Sequence, residues 1–220
     1  MKDRLPGDEF RTAEQAMLPD VRSPMFGLHS IEQHRQKIEQ YSLHPEVSES
    51  IHIQFDVAKN LFLYAYHVFR FYMVAQHQAY ITLELAIRDK IGKEELARYA
   101  KESHMSKGLR AYMKYLHDRG IIKNDDFPTW HNRRRVNAYS KNIYDTVGRM
   151  SEEGLTSIAL DEDLDIEKYP FDYDYVETLC RSIPSIRNEH AHGSEMLFHQ
   201  VSGAFENVSI IINRLYAPTY

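Results

Sequence analysis

The chain is short of the residues that build several common kinds of functional site. Its 220 residues include a single cysteine, Cys180, which excludes a disulfide framework within the chain and a cysteine-based zinc site. Glycine and proline are sparse, at 9 and 8 residues, and no glycine-rich phosphate loop is present. The longest uncharged run, Phe71 to Leu83, contains Gln76, His77 and Gln78. It is too short for a bilayer span and reads as buried helix, so no membrane partner is expected. No segment alternates polar and apolar residues for long enough to suggest a strand. Positive charge is also in deficit, with 27 Lys and Arg against 32 Asp and Glu and a net charge of −5. Nucleic acid would therefore have to be held by a local patch, not by the overall field. Met1 to Pro6 are followed by charge and not by an apolar run, so no signal peptide is expected. With one cysteine, this fits a cytoplasmic protein.

What is present is helix. Residues are 43% hydrophobic and 27% charged, enough for a sizeable core in one domain carrying an arm or an insertion. Residues 1 to about 29 hold Pro6, Gly7, Pro19, Pro24 and Gly27 without a sustained period, and read as an arm lying on the domain or partly disordered. Ser30 and Gln33 form a capping-box pattern that opens a short helix to about Tyr41. From Val47 to Ile91 there is no proline or glycine, and Leu61, Ala65, Val68 and Tyr72 recur at helical spacing. That length predicts two helices or one kinked helix, with Gly92 as the cap. A short helix spans Glu94 to about Lys101, and Ser106 is placed to cap the next, Lys107 to about Arg119. Pro128 suits the first turn of a helix running through Trp130, Val136, Ile143 and Val147. Asp161 to Asp165 read as a solvated acidic loop.

Asp172 or Asp174 starts a further helix carrying Val176, Leu179, Cys180 and Ile183, and a last helix is predicted from Ser194 to about Tyr216. The pattern predicts an all-α protein built as a helical bundle with short peripheral helices. Tyr64, Tyr66, Tyr72 and Tyr80 read as core or interface residues more than base-stacking platforms. His67 and His77 read as core or edge histidines.

The chemistry concentrates in Arg187-Asn188-Glu189-His190-Ala191-His192-Gly193. Arginine binds phosphate and histidine moves protons near neutral pH. On a helix, Asn188 and His192, four apart, share a face. Arg187 lies about 140° from His192 but is long enough to reach round. These three can converge on one small anion. His190 and His192, two apart, diverge, which argues against a shared metal ion. A second reading is structural: Asn188 and His192 satisfy a helix end, and Arg187 pairs with an acid such as Glu84.

Ile186 to Gly193, followed by an amphipathic helix, resembles the HEPN superfamily (higher eukaryotes and prokaryotes nucleotide-binding), whose signature is Arg, four to six residues, then His. Tyr80 to Arg88 resembles an earlier core helix of HEPN-like and Abi-like bacterial proteins. The likeness covers about residues 60–92 and 172–216. It implies a HEPN-like antiparallel helical bundle, with residues 1–45 as an N-terminal arm holding one short helix. Residues 46–220 would form a single domain with inserted helices at about 93–171.

The resemblance further implies a homodimer with both motifs at the interface. It implies a metal-independent endoribonuclease needing no cofactor, of a toxin–antitoxin or phage-defence system, with RNA and an antitoxin or other protein as partners. Arg187 and His192 would be catalytic and Asn188 supporting, with Glu84 and His190 in lesser supporting roles. The alternative is a non-catalytic HEPN-like nucleotide-binding, RNA-binding or protein-interaction module. His131-Asn132-Arg133-Arg134-Arg135 is a basic cluster. Arg133, Arg134 and Arg135 are weak RNA-contact candidates against the plainer reading of a solvated face or local ion pairs.

Overall fold

The computed structural model describes residues 5–158, 164–193 and 197–217. Among these there is no strand. The eight α-helices are α1 (Ile31–Glu39), α2 (Glu49–Tyr64), α3 (Phe71–Ile91), α4 (Lys93–Glu102), α5 (Leu109–Asp118), α6 (Pro128–Glu153), α7 (Tyr175–Ala191) and α8 (Ser202–Tyr216). The chain divides into two compact units. One runs to Ile122 and resumes at Leu179; the other is Lys123–Thr178. Both α4 and α5 belong to the first unit and contact α3. The second unit therefore begins about thirty residues later than the insertion expected at about 93.

In the first unit, α2 packs most extensively on α3, and α3 on α8. Ile51, Phe55, Ala58 and Phe62 recur at three and four residues along α2 and are all buried. The Phe205 ring of α8 meets Phe55 and Phe62, with centroids 5.9 and 5.7 Å apart. Each such buried side chain contributes roughly 1.5–3 kcal/mol. Helix α8 starts at Ser202 with Val201 as its cap, eight residues after the predicted start. Ser194 lies outside the described residues, and Leu197 precedes the helix.

Helices α2 and α3 separate without proline or glycine, and the N-terminal arm supplies the reason. The Asp20 amide donates to the Tyr66 carbonyl at 2.9 Å, and the Ser23 hydroxyl donates to the same oxygen. The Phe69 amide donates to the Asp20 carboxylate at 3.1 Å. Backbone groups that a continuous helix would pair internally are paired with the arm instead. The arm is thus ordered on the unit, not loose. Asp20 is fully buried, and Arg22 grips both of its oxygens at 2.8 and 2.9 Å. Burial alone would raise the Asp20 pKa. The Arg22 guanidinium and the amides of Arg22 and Phe69 outweigh that and hold it below the usual carboxylate value.

Helix α1 is fastened by His34. Its Ser30 cap accepts from the Gln33 amide at 3.1 Å. The Gln33 side chain accepts from His29, one residue earlier than a reciprocal box would have it. The buried His34 ring donates from Nε2 to the Phe62 carbonyl at 2.7 Å and stacks on Phe62 at 4.3 Å. Burial lowers its pKa to about 4, against a smaller upward pull from the Phe62 carbonyl.

The second unit is organised along α6. Pro128 occupies its first turn, as the sequence predicts. Phe127 is fully buried and packs edge-on against Tyr175 at 5.3 Å. The Trp130 indole donates to the Tyr173 carbonyl, and the Tyr169 hydroxyl pairs with the Asn142 amide. Of the predicted acidic loop, Asp161–Asp163 lie outside the described residues.

Two stability outcomes follow. Replacing Asp20 by Ala leaves the Phe69 amide without its acceptor and Arg22 with Asp8 as its remaining partner, so urea unfolding should show a loss of about 2–3 kcal/mol. Unchanged stability would show that the arm does not fasten the α2–α3 turn. His34 binds a proton in the unfolded chain near pH 6.5 but in the fold only near pH 4. Its contribution is therefore full above about pH 6.5 and is lost as pH falls toward about 4, by about 3 kcal/mol in all. Unfolding free energies of His34→Gln should fall less steeply over that window than those of the wild type.

Candidate functional site

Helix α7 is capped by Asp174, whose carboxylate accepts from the Glu177 amide at 2.9 Å, and it continues through Pro184. It closes where the His192 amide donates to the Asn188 carbonyl and Gly193 takes φ +83°. That conformation suits glycine after a helix end. The whole Arg187–Gly193 motif therefore lies on the last turn and its cap.

Helical periodicity sorts the motif onto two faces. Arg187 and His190, three apart, turn toward α3. Asn188 and His192, four apart, share an exposed face. The Arg187 guanidinium donates from Nη2 to Glu84 of α3 at 3.1 Å, with side chains 32% and 18% exposed. Its Nη1 reaches the Asn188 side-chain oxygen at 3.4 Å, a weak contact. Its Nε is buried without a hydrogen-bond partner. His190 pairs through Nε2 with the Gln76 side-chain oxygen at 3.0 Å, and its ring stands edge-on to His77 at 6.2 Å. Burial holds both imidazoles below their usual pKa. The Arg187 charge lowers His77 further, and His77 lowers His190.

Two recesses flank this contact. The larger, about 650 Å³, is lined by Glu84, Arg187 and Asn188 together with His104, Lys107 and Arg110. The smaller, about 360 Å³, is lined by His77, His190 and Gly193 with Arg70, Val74 and Leu197. Arg187, Asn188 and Glu84 thus share one cleft, and His190 faces another. His192 lines neither and lies exposed at the helix end.

The wall formed by His104–Arg110 was not read from the sequence as part of a site. The sequence places a helix start at Ser106, making Lys107 an ordinary first-turn residue. Instead Gly108 caps α5 with φ +144°, and the helix begins at Leu109. The available signal was Lys107 and Arg110 bracketing a glycine. The cluster at 131–135 is engaged within its own unit. Arg133 donates to the Tyr173 hydroxyl and lies over the Tyr173 ring, and Arg134 pairs with Glu167. Arg135 donates to Asn132 and His131 pairs with the Asp125 carbonyl. These bonds fit the plainer reading of local pairing. Among the described residues no three metal-ligating side chains converge. Cys180 is buried.

Comparison of the chain with protein-family models, curated proteins and solved structures yields no match.

The Arg187–Glu84 pair is half-buried, so solvent screens it and its coupling should be modest. A double-mutant cycle with Arg187→Ala and Glu84→Ala, followed by urea unfolding, should return a coupling of about 1 kcal/mol. A value indistinguishable from zero would mean the two residues are merely neighbours.

Proposed function

We propose that the chain is a HEPN-like, homodimeric, metal-independent endoribonuclease acting at the Arg187–His192 motif. The observation that carries this reading is the shared cleft. Arg187 and Asn188 stand together on one wall, and Glu84, on the earlier helix, orients the guanidinium. In this role Arg187 stabilises charge building on the phosphoryl oxygens, and Asn188 positions the phosphate. His192 transfers the proton. Its exposure at the helix end leaves it open to a bound strand or to a second copy. An antitoxin or other protein partner belongs to the same reading, as does the finer HEPN-like arrangement of the bundle.

A second reading, a non-catalytic nucleotide- or RNA-binding module, is favoured by one specific observation. His192 does not line the cleft that holds Arg187 and Asn188. Under this reading the cleft retains a phosphate and no bond is cut.

Purified protein should be incubated with single-stranded and structured RNA in the presence of EDTA. The expected result is cleavage by the wild type, reduced about 100-fold or more in His192→Ala, the scale of a lost proton-transfer group. Cleavage equal in both proteins removes the catalytic role of His192. Absence of cleavage with retained binding selects the second reading.

A further inference from the structure

We infer that the His104–Arg110 segment is the phosphate-holding wall of the Arg187 cleft, with Lys107 and Arg110 as its anchors and His104 as a ligand-contacting ring. The ligand is a phosphate ester, either the backbone of an RNA strand or a free nucleotide. The inference rests on the proposed RNA reading only in taking the same cleft.

Charge carries the argument. The cleft lining holds three cations, Lys107, Arg110 and Arg187, against one carboxylate, Glu84. Glu84 is already committed to Arg187. Among the described residues Lys107 and Arg110 have no ion pair or hydrogen bond from their side chains. In a chain with a net charge of −5, cations are the scarcer species, yet here they converge without acids. A cleft of about 650 Å³ is within the range of small-molecule sites.

The positions of these cations sharpen the point. Arg110 lies in the first turn of α5 and Lys107 just before it. That turn contains no acidic residue and no side chain caps it. Cations at the positive end of a helix are electrostatically unfavourable, and an anion there relieves the cost. His104 is also placed against the local optimum. It takes φ +54° at the end of α4. There Met105 donates to the Ala100 carbonyl and His104 to that of Lys101, a helix stop that favours glycine. Three residues of one wall thus sit where another residue would suit the fold better, and all three line the Arg187 cleft.

The test uses the full chain and a 2′-O-methyl single-stranded RNA, which can be bound but not cut by 2′-hydroxyl attack. Binding is read by fluorescence anisotropy across a salt series, with adenosine monophosphate as competitor. The double variant Lys107→Ala/Arg110→Ala should weaken binding about tenfold or more and flatten the salt slope by about two contacts. Its melting temperature should equal or exceed that of the wild type. His104→Gly should raise the melting temperature and weaken binding. Arg98→Ala, on α4 and paired with Glu95, should bind as the wild type does.

Wild-type binding that the double variant retains at unchanged affinity and slope overturns the inference, as does failure of the wild type to bind either probe. Displacement by the monophosphate identifies a nucleotide site, and its absence an RNA site. If the oligonucleotide binds through this wall and unmodified RNA is never cut, the ribonuclease reading fails and the inference stands. If RNA is cut with the same KM by wild type and double variant, the reverse holds.

Discussion

A carboxylate removed from water must be paired on nearly every side, and Asp20 meets that demand with groups drawn from two places in the chain. Arg22 supplies a bidentate guanidinium and its own amide, and Phe69 supplies a backbone amide. Arg22 also reaches Asp8, which in turn receives Arg70. A buried ion of this kind adds little net stability over a well-packed apolar group, but it is intolerant of any other arrangement. Here the arrangement it enforces is the end of α2 and the start of α3. The axis of α3 then sets where Gln76, His77 and Glu84 stand. All three side chains meet the end of α7. The geometry of the candidate site is thus inherited from an N-terminal segment remote from it in sequence.

The candidate site is a contest for one guanidinium. Arg187 gives one nitrogen to Glu84 and a weak contact to Asn188, and leaves a third nitrogen buried without a partner. A phosphate entering the cleft meets a cation whose charge is partly offset by its carboxylate neighbour. Glu84 therefore orients the guanidinium and tempers it at once. Lys107 and Arg110 have no such counterweight, so under the proposed reading much of the attraction on an incoming anion would come from the wall the motif does not name. Under the proposed reading, recognition of charge and presentation of the motif are divided between two segments nearly eighty residues apart.

Local patterns with a strong physical cause were legible in the sequence. The α-helical class, the Ser30 cap, Gly92 as a helix stop, and Pro128 in a first turn all follow from backbone chemistry acting within a few residues. The pairing of Arg187 with Glu84, 103 residues apart in the chain, stood in the sequence only as an example within the structural reading of the motif. The α2–α3 break itself was foreseen only from its length. Its cause, Asp20 accepting from Phe69, spans 49 residues and leaves no local mark. The same holds for α5. A glycine at φ +144° replaces the serine cap, because a glycine can take a backbone angle that lets the helix start later. That two-residue shift moved Lys107 from a helix surface to a cleft wall. Pro184 falls just before the motif, and α7 runs through it.

The partition of the motif also bears on what could be processed there. Proton transfer requires a group within hydrogen-bond reach of the reacting oxygen. Asn188 and His192 are one helical turn apart on the exposed face, a rise of about 6 Å, and only the first lines the cleft. A single phosphate held by Arg187 and Asn188 fills the cleft side of that turn and leaves His192 beyond it. Under the proposed reading, a strand running along the exposed face of α7 would engage both, with one phosphate in the cleft and the next sugar beside the imidazole. If His192 is the proton-transfer group, the substrate is therefore extended. A free nucleotide would instead find its histidine in the cleft itself, at His104. The two proposed roles of the site then differ not in how phosphate is held but in which histidine the remainder of the ligand can reach.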